Sequence, residues 1–394
     1  MTPHLGRRLP LLAHAFSLQT AAYLIRPAAA YRAIELGLAP ALVGLIAASF
    51  AVIPLVAAVP VGRWTDRGRE YPTLVLGGVA MAAAAVGMLL LPTTLWSLVA
   101  WNALIGFGHL LAVIGQQSLV AGADRDGLDA AFGLYTFAGS LGQAVAPLLL
   151  ATVGGGVVIP DSRLLVIAYG LACAMMLVVT PLLRRRIEQE SSPTPTPRAQ
   201  GRVRALPPLS PATRRTMTGG ILLSALVLAA VDLIQVYLPA LGVERGIDAW
   251  VIGVLLTVRA GATMLSRLGL GRLVHRWGRR RLVVGSSILA GVVVAMMALP
   301  LPPVLLGLLL ALAGFCLGIG QPLSMTIVTL AAPPGTTSTF LALRLVGNRV
   351  GQSAVPAALT VVSTVTGTAG IFVLTGVGLL ATAGLALASI SDSP

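Results

Sequence analysis

Polar positions are so sparse along this chain that they act as punctuation between long apolar runs. Each run is close to the roughly 20 helical residues needed to cross the hydrocarbon core of a bilayer. Twelve spans are predicted, at 10–36, 41–62, 72–92, 95–121, 128–152, 164–183, 217–242, 248–271, 281–300, 302–330, 337–362 and 368–390. Helix breakers mark the connections: Pro40, Pro72, Pro92, Gly154 to Gly156, Pro160, Pro300 and Pro302. One connection differs from the others. Residues 184–216 open with Arg184, Arg185 and Arg186 and continue as SSPTPTPRAQGRVRALPPLSP, a Ser-, Pro- and Arg-rich stretch unable to span a membrane. It separates a six-span half over 1–183 from a second over 217–394. The expected fold class is all-α, with twelve transmembrane helices in two halves.

Composition agrees. Of 394 residues 56% are hydrophobic and 10% charged, against about 25% charged in soluble domains. No water-soluble fold of this size could hide so much apolar surface. Cys173 and Cys316 both lie inside apolar runs, which points to buried thiols rather than a disulfide scaffold. Arg7 and Arg8 precede an apolar stretch, but it runs past the length of a signal-peptide core and lacks a small-residue cleavage site. It is read as the first span.

The net charge of +14 raises nucleic acid as a partner. The distribution argues against it. All 27 basic residues are arginine, and nineteen fall in the N-terminal tail, alternate loops and the linker; the opposite loops hold only Arg32, Arg163 and Arg245. That bias is a topology signal. It places both termini in the cytoplasm, with the bilayer as partner, in a cell membrane of the bacterial inner type.

The halves repeat at an offset of 209. Glu35 meets Glu244, Gly37 meets Gly246, Gly44 meets Gly253, and Gly62-Arg63 meets Gly271-Arg272. Gly142-Gln143 and Pro147 meet Gly351-Gln352 and Pro356. Two parallel halves of this kind form a known carrier architecture, with substrate near the midplane.

After the second span the chain reads GRWTDRGRE (Gly62 to Glu70), and after the eighth GRLVHRWGRRR (Gly271 to Arg281). These segments resemble the loop motif of the major facilitator superfamily, Gly-x-x-x-Asp-Arg-x-Gly-Arg-Arg. The first copy lacks one residue between Arg67 and Gly68 and ends in Glu70; the second has His275 in place of Asp. The resemblance implies a conformational latch built from Gly62, Asp66, Arg67, Gly68 and Arg69 in the first copy, and Gly271, Arg276, Gly278 and Arg279 in the second. Asp66 would bond a neighbouring helix end and hold the outward-open state. The simpler reading is that these arginines only set topology. In the fifth span Gly133, Gly142, Ala146 and Pro147 are similar to the superfamily's antiporter motif, with its last glycine pair replaced by Leu150 and Ala151. Generic close packing explains the same residues. Asn102 stands four residues before Gly106, where the drug antiporters often carry Arg.

Charged groups deep in a bilayer cost about 2.5–3.5 kcal/mol even on the mildest scale, so they mark a cavity or a partner. Arg267 lies near a helix end and is expected to snorkel. Arg26, Arg259, Arg344 and Arg349 are deeper, against one clearly deep carboxylate, Asp232. Such a positive surplus suits a bound anion, most simply a carboxylate. Gln19, Tyr23 and Arg26 share a helix face, as do Asn102, His109 and Gln116, and Arg344, Asn348 and Gln352. Gln235 stands beside Asp232. The resemblance implies that these spans line a central cavity, giving Gln19, Tyr23, Arg26, His109, Gln235, Arg259, Arg344, Asn348 and Arg349 as candidate substrate contacts. Interhelical glue is the plainer alternative. Arginine stays protonated and lysine is absent, so Asp232 and His109 are the candidate proton-coupling groups. Asp232 is expected to pair with Arg259 or Arg349.

No phosphate-binding loop, metal-ligand spacing or nucleophile constellation argues for an enzyme, and no cofactor or metal is expected. The reading is a secondary active transporter working by alternating access, exporting drug-like or metabolite molecules against protons as a single chain. The alternative is an uptake or exchange carrier for small organic anions.

Overall fold

The computed structural model describes residues 3–38, 40–91, 94–154, 161–190 and 209–389. No strand occurs among them. The helices are α1 (Pro3–Glu35), α2 (Pro40–Thr65), α3 (Glu70–Leu90), α4 (Leu95–Ala121), α5 (Leu128–Gly154), α6 (Ser162–Glu190), α7 (Pro211–Glu244), α8 (Ala249–Leu268), α9 (Leu270–Trp277), α10 (Arg279–Met296), α11 (Pro303–Ala331) and α12 (Thr337–Ser389). A 3₁₀ turn, Arg125–Gly127, leads into α5. Most of the expected linker, residues 191–208, lies outside the described residues.

Every expected span is helical, with two differences. The eighth stops at Leu268, and a short amphipathic helix, α9, occupies the following connection. The eleventh and twelfth merge into α12, broken at Gly367 (φ 65°, ψ −172°), a backbone state that only glycine adopts readily. Eight helical stretches among the described residues are long and apolar enough to cross a membrane. Val56, Leu90, Val178 and Val304 are each at least 74% exposed. Such a surface suits lipid rather than water.

The chain divides into two compact units. Unit 1 comprises 1–122, 138–202 and 334–342; unit 2 comprises 123–137, 203–333 and 343–394. In unit 1, α1 packs on α6, α4 and α2, and α3 on α4 and α6. Close approach rests on small residues: a Cβ on Gly77 would come within 2.8 Å of Gly108 O, and one on Gly106 within 2.0 Å of Phe50 O. The buried Tyr169 hydroxyl donates to Met81 O at 2.8 Å. In unit 2, α11 packs on α8, α10 and α7, around a core that includes Leu238, Val294, Leu306, Leu310 and Leu323.

The repeat is visible in backbone geometry. Gly37 and Gly246 both turn the chain at positive φ, 68° and 66°. Gly68 and Gly278 do so at 76° each, one residue off the general offset, as the deletion after Arg67 requires. The carboxylates at the ends of α1 and α7 do matching work. Glu35 accepts the Ser162 N–H at 2.8 Å and the Ser162 hydroxyl at 2.6 Å, capping α6. Glu244 accepts from the Thr368 hydroxyl, just past the Gly367 break. Arg32 pairs with Glu35 at 3.0 Å, whereas Arg245 donates to Ala298 O at 2.7 Å.

Candidate functional site

The first motif copy ends α2 and turns into α3. Inside unit 1 it meets the first turn of α12, where backbone N–H groups have no intrahelical acceptor. Asp66 supplies one from a distant part of the sequence. Its Oδ1 accepts the Ser338 N–H at 2.7 Å, and its Oδ2 accepts the Thr339 N–H at 2.9 Å and the Thr339 hydroxyl. Burial pushes the Asp66 carboxyl above its usual range, and the bonds from Thr339 and Ser338 pull it part of the way back. Gly62 is necessary to the approach, since a Cβ there would lie 2.6 Å from Thr339 Cα. Arg67 and Arg69 are exposed. The Arg69 guanidinium stacks on Trp64, 4.0 Å from the ring centroid.

In unit 2 the second copy makes the corresponding contact with reversed polarity. Arg279 donates through Nε to Asp129 Oδ2 at 2.8 Å, and Asp129 stands in the first turn of α5, 4% exposed. Here the start of α5 supplies the carboxylate and the first residue of α10 the cation. Asp129 went unnoticed in the sequence because nothing local links it to residue 279; its repeat mate at the offset of 209 is Ser338, which hinted at it. A Cβ on Gly271 would meet Ala130 Cβ at 2.8 Å. Arg276 and His275 are exposed, and Gly278 makes the left-handed turn. Arg267 donates to Thr136 O at 3.1 Å and Gly318 O at 3.4 Å, so its head is spent on carbonyls rather than only reaching for the interface.

The antiporter-like residues sit at tight crossings. Within unit 2, a Cβ on Gly133 would lie 2.5 Å from Arg267 O. Within unit 1, one on Gly142 would lie 2.3 Å from Phe16 O, and Thr20 donates to Gly142 O at 3.3 Å. Ala146 is buried, and the side chain of Pro147 lies outside the described part of α5.

The polar residues of unit 1 separate into two sets. Asn102 donates to Ile46 O and, at 3.3 Å, to Ser49 Oγ, tying α4 to α2. Gln116 and His14 Nδ1 meet at 2.6 Å, tying α4 to α1. His14 escaped notice because it stands alone near the chain start. The other set is partly open: Arg26 is exposed, and Gln19, Tyr23 and His109 are half-buried. The Arg26 guanidinium lies 5.3 Å from the Tyr23 ring centre and 5.5 Å from that of Phe50. The Phe50 ring in turn faces His109 at 5.5 Å. Gln143 donates to Gln19 Oε1 at 3.3 Å.

Unit 2 holds the remaining candidates in two clusters. Arg344 is fully buried; it donates to Ser324 Oγ at 2.9 Å and to Gln321 Oε1 at 2.5 Å. Asn348 accepts from Ser224 at 2.6 Å in the same network. Asp232 accepts from Gln352 Nε2 at 2.6 Å, and Gln352 Oε1 lies 3.4 Å from Arg349 Nη1. Gln352 therefore bridges Asp232 to Arg349. Arg259 is 8% exposed, and Gln235 is exposed. No cluster of His, Cys, Asp and Glu suited to a metal occurs among the described residues.

Comparison with known proteins gives a consistent picture. The sequence profile of the Major Facilitator Superfamily matches residues 11–356 and 220–394. No curated protein matches the chain. Among solved structures it is similar to the human organic anion transporter MFSD10 (TETRAN), with a TM-score of 0.76 at 16% identity over 98% of this chain and 100% of that one. It is similar to the E. coli fucose:proton symporter FucP, TM-score 0.75 at 14% identity, over 97% and 98% of the two chains. The proton:xylose symporter XylE matches with a TM-score of 0.75 at 13% identity over 98% and 96%.

Proposed function

This chain belongs to the Major Facilitator Superfamily, a family of transporters with twelve transmembrane helices in two pseudo-symmetric halves, and on that premise we propose that it is a proton-coupled exporter of drug-like or metabolite molecules bearing an anionic group. It works by alternating access, as a single chain in the bacterial inner membrane with both termini cytoplasmic. Its moving parts are the halves 1–183 and 217–394, joined by 184–216.

The observation that carries the anion reading is Arg26. Its guanidinium is exposed, and among the described residues it meets ring faces and no carboxylate. A permanent cation left open within an apolar helix attracts an anion. In unit 1, Tyr23 lies against it, His109 is reached through Phe50, and Gln19 is a further candidate contact; in unit 2, Gln235, Arg259, Arg344, Asn348 and Arg349 are the candidate substrate contacts. Asp232 is the proton-coupling group. Protonation removes its charge and so changes how strongly Gln352 and Arg349 are held, which links proton binding to an arginine facing substrate. His109 is the second titratable group. The Asp66 and Arg279–Asp129 contacts are the conformational latches, made and broken in each cycle. The structural neighbour MFSD10 is an organic anion transporter, in keeping with this reading.

The same Arg26 supports a second reading, uptake or exchange of small carboxylates. Flux in proteoliposomes under an imposed pH gradient decides. Acidifying the compartment that faces away from the loaded substrate drives accumulation there in an exporter of this kind. Accumulation with the proton flow would favour uptake, and loss of anion flux in Arg26→Ala is expected in both.

A further inference from the structure

We infer that unit 1 reads aryl carboxylates specifically, through a guanidinium held over two aromatic rings. The inference rests on the transport reading above and narrows its substrate class.

The sequence places Tyr23 and Arg26 three residues apart on α1, so both side chains lie on one helix face. Phe50 comes from α2 and His109 from α4. Packing brings them together: the Arg26 guanidinium carbon is 5.3 Å from the Tyr23 centroid and 5.5 Å from the Phe50 centroid. Both distances are inside the roughly 6 Å reach of a cation–π contact. Phe50 is itself 6% exposed and is backed by His109, whose ring is tilted 54° to it. A guanidinium set against rings is oriented in advance. Guanidinium N–H donors form the fork geometry that a planar carboxylate satisfies with two parallel bonds. A lysine would provide the charge without the fork.

The surroundings select what the carboxylate is attached to. Glu35, the carboxylate at the end of the same helix, is taken by Arg32 and Ser162. Against Arg26 lies the half-buried Tyr23 ring, and through Phe50 the cluster reaches the half-buried His109 ring. These offer π surface. A flat ring joined to a carboxylate can engage Arg26 and stack or meet edge-to-face with Tyr23 and His109, whereas an aliphatic acid of equal size obtains only the charge contact. Aromatic pairing is worth about two- to tenfold in affinity.

The test is calorimetric titration of the purified full-length protein with 2-naphthoate, its ring-saturated decahydro analogue and 2-naphthamide. The expected order is naphthoate first by about two- to tenfold over the saturated acid, with no saturable binding of the amide. Tyr23→Leu, which removes a ring that the ligand meets, should bring the two acids close to equal affinity. His109→Leu, a second route should Tyr23→Leu fail to fold, should do the same in part. Arg26→Gln should abolish both, and Arg26→Lys should keep weak binding without ring preference. Equal affinities for both acids in the unaltered protein would overturn the aryl inference and leave the anion reading standing. No binding by either acid would overturn both. Ring preference surviving in Arg26→Gln would place the site elsewhere.

Discussion

Replacing Asp66 by Ala removes the acceptor for two backbone amides and one hydroxyl at the start of α12. Each hydrogen bond to a charged group contributes about 1.5–3 kcal/mol. Three of them do not simply add, because Asp66 is only partly buried and water replaces some of what is lost. The carboxylate also carries a desolvation cost, seen in its raised pKa. Cap substitutions cost about 0.5–2 kcal/mol, and charge at a helix N-terminus adds up to about 2 in partly buried geometry. A net loss of about 2 kcal/mol follows, roughly 30-fold in the equilibrium that frees this turn. Hydrogen exchange reads it directly. The Ser338 and Thr339 amides should exchange roughly 30-fold faster in Asp66→Ala. Amides in the middle of α11 should be unchanged. Asp66→Asn, which keeps one carbonyl acceptor, should fall between. Protection at Ser338 and Thr339 within about twofold of the unaltered protein would refute the latch as described, since the lost bonds then contribute under about 0.5 kcal/mol.

Further expectations follow from the same geometry. Asp66 has a raised pKa in the bonded state, so forming the contact takes up protons. The contact is fully favoured below the ordinary carboxylate pKa of about 4 and weakens as pH rises through the raised value. Protection of residues 337–342, corrected for intrinsic exchange, should decline across that window and level off above it; a steady rise with pH would contradict this. Asp129→Asn breaks the 2.8 Å pair with Arg279, whose side chain is 25% exposed. A loss of about 1–2 kcal/mol is expected after discounting for solvent, seen as faster exchange in the first turn of α5, and unchanged exchange there would remove Asp129 from the latch. Gly142→Ala forces a Cβ to within 2.3 Å of Phe16 O. Overpacking of about 1–3 kcal/mol should lower the melting temperature by several degrees, and an unaltered melting curve would mean that α1 and α5 are less tightly packed than described.

How far the sequence reached depended on distance along the chain. Helix positions were legible because apolar length and Pro or Gly punctuation are local signals. The paired left-handed turns at Gly68 and Gly278 fall on glycines of the two motif copies, though the motif reading itself said nothing of their backbone. α9 was missed because Gly269 and Gly271 sit inside what reads as an unbroken apolar-to-basic transition; the chain instead re-starts a helix there. Spacing placed Asn102, His109 and Gln116 on one stripe. Packing divides them: Asn102 and Gln116 bond to α2 and α1, and His109 stays half-buried beside Phe50. The stripe Arg344, Asn348 and Gln352 divides likewise, into a fully buried network and the bridge to Asp232. Periodicity tells which residues share a face, while their partners come from other helices, from 20 to 124 residues away.

In the proposed function, proton binding at Asp232 is coupled to movement of an anionic substrate. The most direct measurement is flux of 2-naphthoate in proteoliposomes carrying the unaltered chain or Asp232→Asn, with and without a pH gradient. Gradient-driven accumulation by the unaltered protein is expected, and in Asp232→Asn loss of that accumulation with exchange of labelled for unlabelled substrate retained. Accumulation surviving in Asp232→Asn would contradict it.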